Sequence, residues 1–542
     1  MPTTVISTNQ TSAAILYTIT AADDTYILLP GVTAVATSLV FYSASAAHTS
    51  LLLAGTVVSS SYVAIITGGN DANVTVAETG LVIGNINIPG FYAVGLQGTN
   101  NRLTNHGQIL TTNDIAVYMT NTGASVTNTG LISGGQMGVL FGSNNSTMVN
   151  SGTISATYSG SAVGVDFGST AGGTLDNSGQ ITADGAGQSA GVLVEADTLV
   201  IRNTGLISGT DGTGIEMTFA ATNLTLYNSG IISGTLGSLN LAAGLGCAVT
   251  NRGTLIGNVT LTAGNDFFDG IGGQVTGFVT GGLGEDVYRT DTAGLAINEL
   301  VGGGGSDRVE STVDFDLGTV AEVEDLTLIG NALTGSGNVL ANTLVGNFRN
   351  NVLGGGAGRD TLFGHGGDDS LRGDADFDYL AGGDGDDSLI GGAGSDTLFG
   401  GEDYDTLLGG TFGDRLNGEG GEDVLVGGAG RDTLNGGAEA DTYVFRSVSD
   451  SGASSLLRDS IVGFETGLDL IDLTAIDANS VLNGNQAFTY IGTGAFTNVA
   501  GQLRAVHGSN SLLQADVNGD GVADFEVTLA SITSVDGNDL LL

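Results

Sequence analysis

The sequence contains no lysine and no tryptophan, and it has only three prolines and one cysteine in 542 residues. A single cysteine excludes an internal disulfide, and the apolar segment around Cys247 predicts a buried structural thiol. The 13 basic residues are all arginines and face 57 acidic residues, so the net charge is −44. Such a charge excludes nucleic acid as a partner, and it implies strong self-repulsion unless cations neutralise it.

Membrane and export patterns are also missing from the chain. There is no apolar run of about 18 residues, so we expect no transmembrane segment. The first 24 residues lack the basic region and the compact apolar region of a cleaved N-terminal signal peptide. The length favours two to four domains. Acidic residues are unevenly spread, with 12 in residues 1–250 and 45 in the remainder, so the second half is the half that needs cations.

The acidic half contains ten nonapeptides without a gap, over Gly355–Val444. One clear copy reads GGAGSDTLF (Gly391–Phe399), and a degenerate copy, Gly346–Gly354, precedes the ten with Asn351 in the sixth place. Leucine fills the eighth place in nine copies and Tyr443 fills it in the tenth. An aspartate fills the sixth place of all ten: Asp360, Asp369, Asp378, Asp387, Asp396, Asp405, Asp414, Asp423, Asp432 and Asp441.

This spacing predicts a solenoid with two nonapeptides per coil. Glycine-rich half-repeats allow tight turns, and the next three residues suit a short strand with one apolar side chain inside. Each aspartate then lies about 4.8 Å from the one eighteen residues later, and two such carboxylates repel unless a cation lies between them. Carboxylate and turn carbonyl oxygens favour Ca²⁺. Ten repeats contain eight such pairs, so we expect about eight Ca²⁺ ions.

The nonapeptide pattern resembles that of RTX (repeats-in-toxin, hemolysin-type) calcium-binding proteins, and the resemblance implies a Ca²⁺-bound parallel β-roll over residues 346–444. A solvated acidic tract would not keep an apolar residue in the same place through ten copies. The preceding residues, 261–345, resemble the spacer that leads into an RTX array. Two isolated copies lie there, GGLGEDVYR (Gly281–Arg289) and GGGGSDRVE (Gly302–Glu310). Their Asp286 and Asp307 are candidate Ca²⁺ ligands, with a plain structural turn as the alternative.

Residues 1–260 carry a longer repeat with the core Asn-x-Gly-x-Ile. A period of 20–30 residues rich in β-branched residues and glycine indicates a stacked solenoid with about three strands per coil. We expect a right-handed parallel β-helix of about nine coils, with the asparagines hydrogen-bonded from coil to coil. These asparagines are Asn105, Asn128, Asn150, Asn177, Asn203, Asn228 and Asn251. The segment resembles the β-helical passengers of bacterial surface proteins and adhesins and, more loosely, β-helix enzymes that act on polysaccharides.

An enzymatic β-helix is the alternative to a structural one. Uronate lyases and epimerases need groups that neutralise a carboxylate and groups that move a proton. Residues 1–250 offer four such basic groups: His48, Arg102, His106 and Arg202. The HExxH motif of metalloproteases is absent. Several acids are scattered through the segment, so hydrolysis by a carboxylate pair stays open: Asp166, Asp176, Asp197 and Glu216. We assign no catalytic residue and no organic cofactor.

The last hundred residues, 445–542, leave the nonapeptide phase. Phe464–Leu473 (FETGLDLIDL) and the final Asp539–Leu542 (DLLL) resemble the C-terminal domain of serralysin-type proteases. The resemblance implies a β cap on the roll that carries a type I secretion signal. Asp516, Asn518 and Asp520 alternate like half of an EF-hand loop, which makes them candidate Ca²⁺ ligands, with a turn between two strands as the alternative.

The sequence therefore predicts an all-β protein with four regions: a β-helix (1–260), a spacer (261–345), an RTX β-roll (346–444) and a cap (445–542). We expect a secreted, non-catalytic calcium-binding protein of the surface-layer, matrix or adhesin type. It would leave the cell through a type I secretion apparatus without cleavage and fold on Ca²⁺ outside, at the cell surface or beyond it. Its further partners would be copies of itself or a cell-surface glycan. The alternative is a polysaccharide epimerase, lyase or hydrolase with a catalytic β-helix.

Overall fold

The computed structural model describes residues 3–43, 46–84, 91–168, 171–218, 223–301 and 304–542. This part of the chain is all-β, as expected, with strands, two short 3₁₀ helices (Leu317–Thr319 and Gly537–Asp539) and no α-helix. None of its helices has the length and apolar character needed to cross a membrane. Two compact units form, Met1–Arg289 with Leu295–Ser306, and Thr290–Gly294 with Asp307–Leu542.

The first unit is a parallel β-helix in which each coil gives one strand to each of three sheets. Sheet 1 contains Thr3–Ile6, Thr25–Leu28, Ser50–Leu53, Asn73–Val76, Arg102–Asn105, Ser125–Asn128, Ser146–Asn150, Ala171–Asn177, Asp197–Asn203, Leu224–Asn228, Cys247–Asn251, Phe267–Asp269 and Val287–Thr290. Sheet 2 contains Gln10–Ser12, Thr33–Ala36, Thr56–Ser59, Leu81–Ile83, Gln108–Leu110, Leu131–Gly134, Thr153–Tyr158, Gln180–Gly185, Leu206–Gly209, Ile231–Gly234, Thr254–Ile256 and Gln274–Val275. Sheet 3 contains Tyr17–Ile19, Phe41–Ser43, Ile65–Thr67, Tyr92–Leu96, Ile115–Thr120, Met137–Gly142, Val163–Phe167, Ala190–Val194, Thr213–Met217, Gly237–Asn240, Val259–Thr260 and Val279–Thr280.

The repeated Asn-x-Gly-x-Ile core forms the corner between sheets 1 and 2. Asn105 ends a strand of sheet 1, and Ile109 points into the core from the next strand of sheet 2. Gly107 lies at the corner, where a methyl group would come 2.2 Å from the carbonyl oxygen of Gly80 in the preceding coil. Only glycine allows the coils to stack this closely. Cys247 is buried and unpaired, as predicted.

The predicted asparagine ladder is confirmed. The Asn105 side-chain amide donates to Oδ1 of Asn128 at 2.7 Å, and the same bond repeats at 2.7–2.8 Å to Asn251. The seven asparagines are 0–2 % exposed. At the start of the ladder the residue that pairs in register with Asn105 is Val76, whose side chain has no amide to donate. Oδ1 of Asn105 therefore has no hydrogen-bond partner in the described chain. The ladder satisfies buried polar groups that would otherwise destabilise each corner.

The β-helix is longer than expected. Sheets 2 and 3 have 12 strands each, so the described coils number twelve rather than about nine, and they continue past residue 260 to Thr280. The earliest coils were missed because apolar packing, without the asparagine, is enough to define a coil. The last coils were missed because they are shorter: the contacts Cys247–Asp266 and Asp266–Asp286 span 19 and 20 residues.

The second unit is a β-roll with two strands per coil. One sheet, sheet 4, contains Arg308–Ser311, Asp325–Leu328, Thr343–Val345, Thr361–Gly366, Tyr379–Asp384, Thr397–Glu402, Arg415–Gly420, Thr433–Ala438, Asp459–Ile461, Phe525–Leu529, Ser511–Asp516, Gln502–Val506 and Thr489–Tyr490. The other, sheet 5, contains Phe315–Asp316, Thr334–Ser336, Val352–Ala357, Ser370–Ala375, Ser388–Ala393, Thr406–Thr411, Val424–Ala429, Thr442–Val444, Leu470–Asp472 and Leu540–Leu541. The eighth-place leucines are 0–1 % exposed and form the core between these two sheets.

The predicted spacer 261–345 does not form a separate body. Its strands up to Val287–Thr290 belong to the sheets of the β-helix, and those from Arg308 onward belong to the β-roll. The reason is that both solenoids accept strands without the repeat motif if one apolar side chain points inward. The cap also extends the roll, because Asp459–Ile461 and Leu470–Asp472 pair in parallel with its last strands. Of the isolated copy Gly302–Glu310, Gly302 and Gly303 lie outside the described residues.

Candidate metal centre

The ten sixth-place aspartates form two columns, one at each turn of the β-roll. Each aspartate directly precedes a strand, and its side chain is only 0–4 % exposed. Oδ1 accepts a hydrogen bond from the backbone N–H of the aspartate one coil earlier, as from Asp360 to Asp378 at 2.8 Å. Eight such bonds of 2.7–3.0 Å join residues 18 apart, which agrees with the predicted stacking.

The second carboxylate oxygen, Oδ2, is buried in all ten aspartates and has no hydrogen-bond partner among the described residues. A buried, unpartnered carboxylate oxygen is strongly unfavourable. Because an Oδ2 atom occupies this position in every coil, the fold presents a row of buried carboxylate oxygens that can act as metal ligands. Oxygen donors of this kind fit a hard divalent cation such as Ca²⁺.

The first place of each nonapeptide requires glycine, because Oδ2 of the sixth-place aspartate faces this position and leaves no space for a side chain. A methyl group on Gly382 would lie 2.1 Å from Oδ2 of Asp387 and 2.7 Å from the carbonyl oxygen of Gly400. The corresponding distance to Oδ2 is 1.8–2.5 Å in all ten copies. A carboxylate oxygen and a carbonyl oxygen therefore face the same small space, and any larger side chain would fill it.

Burial raises the pKa of these carboxyls, chiefly because the charged form loses water, and in most of them neighbouring carboxylates add to the effect. The pKa rises to about 6 for Asp360, Asp387 and Asp423, to about 7 for Asp369, Asp378, Asp432 and Asp441, and to about 8 for Asp405 and Asp414. Burial also raises the pKa of Asp396. Near neutral pH, a bound cation would replace protons in these columns.

Two further aspartates extend the columns into the cap, and the sequence reasoning missed both. The N–H of Asp432 donates to Oδ1 of Asp459 at 2.7 Å, and that of Asp441 donates to Oδ1 of Asp469 at 3.0 Å. The separations are 27 and 28 residues, so the nonapeptide phase does not reach them. The usable signal was local: Asp459-Ser-Ile and Asp469-Leu-Ile repeat the Asp-x-apolar pattern that opens each strand of the roll.

Asp286 and Asp307 lie in different units. Asp286 is 1 % exposed, and its Oδ1 accepts from the N–H of Asp266 at 2.8 Å, the contact seen in the roll. Asp266, which the sequence reasoning also missed, has both oxygens bonded to Thr262. Asp307 is 8 % exposed, and its N–H donates to Glu324 at 2.9 Å. Calcium binding by Asp286 and Asp307 stays a prediction.

Asp516, Asn518 and Asp520 lie at the turn between the antiparallel strands Ser511–Asp516 and Phe525–Leu529. Both oxygens of Asp516 accept backbone N–H groups of the turn, at 2.7 and 2.9 Å. Asn518 and Asp520 likewise accept from the amide two residues later, at 2.8 Å. These bonds support the turn interpretation, and the Ca²⁺ role of the three residues stays a prediction.

The scattered acids of the β-helix are only partly brought together. Asp166, on sheet 3, is 5 % exposed, and its pKa rises to about 7 through burial and then through the charge of Glu195. Asp176 instead pairs with Arg202 on sheet 1, with 3.3 Å between carboxylate oxygen and guanidinium nitrogen. Asp197 begins a strand of the same sheet, and Glu216 accepts from the hydroxyl of Thr213 at 3.1 Å.

Comparison with known proteins supports the interpretation of the roll. The family model described as the RTX calcium-binding nonapeptide repeat matches residues 336–371, 372–407 and 408–443. These residues are therefore an RTX calcium-binding repeat region, as the nonapeptide pattern predicts, and the match begins ten residues before Gly346. A similar solved structure is the solution structure of a subunit from the Azotobacter vinelandii mannuronan C5-epimerase, with 26 % identity over 32 % of this chain and 77 % of that chain and a TM-score of 0.17. No curated protein matches the chain significantly.

Proposed function

We propose that the sixth-place aspartates, from Asp360 to Asp441, bind about eight Ca²⁺ ions, one for each stacked pair. The observation that carries this is the row of ten buried Oδ2 atoms that have no hydrogen-bond partner within the described part of the chain. Carbonyl oxygens beside them, such as that of Gly400 beside Asp387, favour Ca²⁺ over Mg²⁺. The reason is that Ca²⁺ accepts six to eight oxygens in flexible geometry, whereas Mg²⁺ requires a near-ideal octahedron.

The binding is tested by counting ions. Equilibrium dialysis of the full chain at millimolar free Ca²⁺ is expected to give about eight ions per molecule. The double substitution Asp387→Asn and Asp405→Asn removes adjacent members of one column, affects three stacked pairs and is expected to lower the count by about three. Glu422→Gln, an exposed acid in the same array, is the control and leaves the count unchanged. A full chain that binds no Ca²⁺ contradicts the proposal.

Calcium would act as a switch between the inside and the outside of the cell. Extracellular Ca²⁺ sites have affinities of about 10⁻⁴–10⁻³ M, which millimolar Ca²⁺ fills and cytosolic Ca²⁺ does not. Binding energy then becomes folding energy. The resemblance of the cap to serralysin-type domains supports export through a type I apparatus without cleavage. Protein recovered from culture medium is expected to have the full-length mass, and loss of an N-terminal segment contradicts this route.

We further propose a non-catalytic role at the cell surface or in the extracellular matrix, as a surface-layer or adhesin component. Twelve coils stacked at about 4.8 Å give the β-helix a repetitive, regular surface, which suits assembly with other copies or contact with a glycan. Electron microscopy of the full chain in Ca²⁺ is expected to reveal ordered assemblies that disappear with a chelator. Isolated molecules that also bind no cell-surface glycan contradict this role.

A polysaccharide-modifying β-helix is the second candidate, and Asp166 is the observation that favours it. Its carboxyl is buried, has one oxygen without a hydrogen-bond partner in the described chain, and has a pKa raised to about 7 in the neighbourhood of Glu195. Glycoside hydrolysis uses a carboxyl of raised pKa as its general acid. Incubation with alginate and pectin decides between the two functions. New ends or altered uronate ratios that are lost in Asp166→Asn favour the enzyme, and unchanged glycans favour the structural role.

A further inference from the structure

The aspartate column on sheet 4 continues beyond the nonapeptides, but not at the residue that the period indicates. Counting 18 residues from Asp432 leads to Asp450, whose Oδ2 instead accepts the backbone N–H groups of Arg446 and Ser447 at 2.7 and 3.0 Å. The next strand of the sheet begins at Asp459, because Leu434 pairs in register with Ile461. Asp459 therefore takes the structural position of the next sixth-place aspartate.

Asp459 reproduces the environment of the array. It is 0 % exposed, its Oδ1 accepts the N–H of Asp432 at 2.7 Å, and its Oδ2 is buried with no hydrogen-bond partner in the described chain. Oδ2 of Asp432 is likewise without a partner. The neighbouring cation, Arg458, is engaged with Glu526 at 2.7 Å. Two buried carboxylates that repel each other thus lie in successive coils, and no positive group of the described chain donates a hydrogen bond to their Oδ2 atoms.

The other column ends differently, which makes the comparison informative. Asp469 accepts the N–H of Asp441 through Oδ1, and its Oδ2 accepts the N–H of Glu465 at 2.8 Å. Both of its oxygens are therefore satisfied by the backbone. Among the described residues, the column that ends at Asp459 is therefore the one that reaches the cap with a carboxylate oxygen lacking a hydrogen-bond partner.

We propose that Asp432, in the ninth nonapeptide, and Asp459, in the cap, together bind an additional divalent cation, which would be Ca²⁺. This site would lie at the junction of the roll and the cap. The proposal rests on calcium binding by the array, which would provide Asp432 with the preceding ion of the same column. The site has a structural consequence. The strand Asp459–Ile461 pairs with Thr433–Ala438 on one side and with Phe525–Leu529 on the other, so a cation there links folding of the cap to Ca²⁺.

Asp459→Asn tests the site, because it keeps the shape and the Oδ1 acceptor while removing the charge. Equilibrium dialysis with Ca²⁺ is expected to give one ion fewer per molecule than the unaltered chain. The control Glu422→Gln removes one exposed charge from the array and is expected to give the unaltered count. An equal count for Asp459→Asn and the unaltered chain overturns the inference alone, whereas an unaltered chain that binds no Ca²⁺ overturns the proposed function as well.

The unaltered chain provides a second measurement in case the substitution prevents folding. Crystals grown in Ca²⁺ are expected to contain an anomalous difference peak beside Oδ2 of Asp459, about 2.3–2.6 Å from that oxygen. A hydrogen-bonded water or protein group there, with peaks along the array only, overturns the inference. Peaks at both places support it.

Discussion

Removal of Ca²⁺ at neutral pH is expected to unfold the β-roll and leave the β-helix folded. The carboxyl of Asp369 has its pKa raised from 3.8 to about 7 by burial and by the charge of Asp387. At about 1.4 kcal/mol per pKa unit, ionising this one buried group opposes folding by roughly 4 kcal/mol above pH 7. The pKa of the other nine carboxyls in the columns is also raised, so their combined ionisation opposes the 5–15 kcal/mol that stabilises a typical domain.

The sign of the pH dependence follows from the same shifts. A carboxyl whose pKa is raised in the folded state destabilises that state when ionised, and the effect disappears when it is protonated. Without Ca²⁺, the stability of the roll is therefore present at low pH and is lost as the pH rises from about 4 to about 8. Far-UV circular dichroism in chelator is expected to show β-structure returning as the pH is lowered from about 8 to about 5.

Hydrogen exchange locates the change within the chain. At neutral pH in chelator, peptides from residues 346–444 are expected to exchange completely, while peptides from the asparagine ladder of the β-helix stay protected. Mg²⁺ in place of Ca²⁺ is the control and is expected to restore little protection, because it tolerates fewer ligands and less irregular geometry. Equal protection of residues 346–444 in Ca²⁺ and in chelator would refute the reasoning.

Two substitutions with neighbouring controls test other parts of the structure. Gly382→Ala places a methyl group 2.1 Å from Oδ2 of Asp387, and the overlap is expected to cost about 1–3 kcal/mol. Because about eight ions bind as the roll folds, this cost is expected to raise the Ca²⁺ concentration for half-folding by about 1.2- to 2-fold. Gly354→Ala, with no atom within 4 Å of the new methyl group, is expected to leave that concentration nearly unchanged. Asn150→Ala interrupts the ladder and leaves a donor and an acceptor without partners, so the β-helix is expected to lose roughly 2–5 kcal/mol in thermal unfolding. Val149→Ala changes the exposed neighbour and is expected to shift the stability by less than about 0.5 kcal/mol. Equal effects within either pair would contradict the corresponding contact.

The sequence was most informative where a repeat keeps a strict period. The nonapeptide period places Asp360 through Asp441 in two columns, because a fixed turn and a fixed strand length leave no freedom in register. The asparagine ladder could be predicted for a related reason: Asn105 and its six equivalents recur two residues before a glycine that must lie at a corner. In both repeats the sequence contains the functional side chain, aspartate or asparagine, together with the glycine that allows the neighbouring backbone to form a tight turn or corner.

The remaining features depend on insertions and on packing that no period marks. Asp459 rather than Asp450 continues the column, because the residues between Val444 and Asp459 form a turn of their own before the next strand begins. Asp266 was missed because its coil has 20 residues to the next aspartate instead of 18. Coils without an asparagine, such as the one that contains Leu28, are defined only by inward apolar side chains.

Crystallography of the full chain in millimolar Ca²⁺, with anomalous differences collected for calcium, tests the central claim most directly. Peaks are expected along both columns between aspartates 18 residues apart, with Oδ2 atoms and turn carbonyl oxygens about 2.3–2.6 Å from each peak. A folded β-roll without calcium peaks beside these oxygens, or with water molecules in their place, would contradict the account.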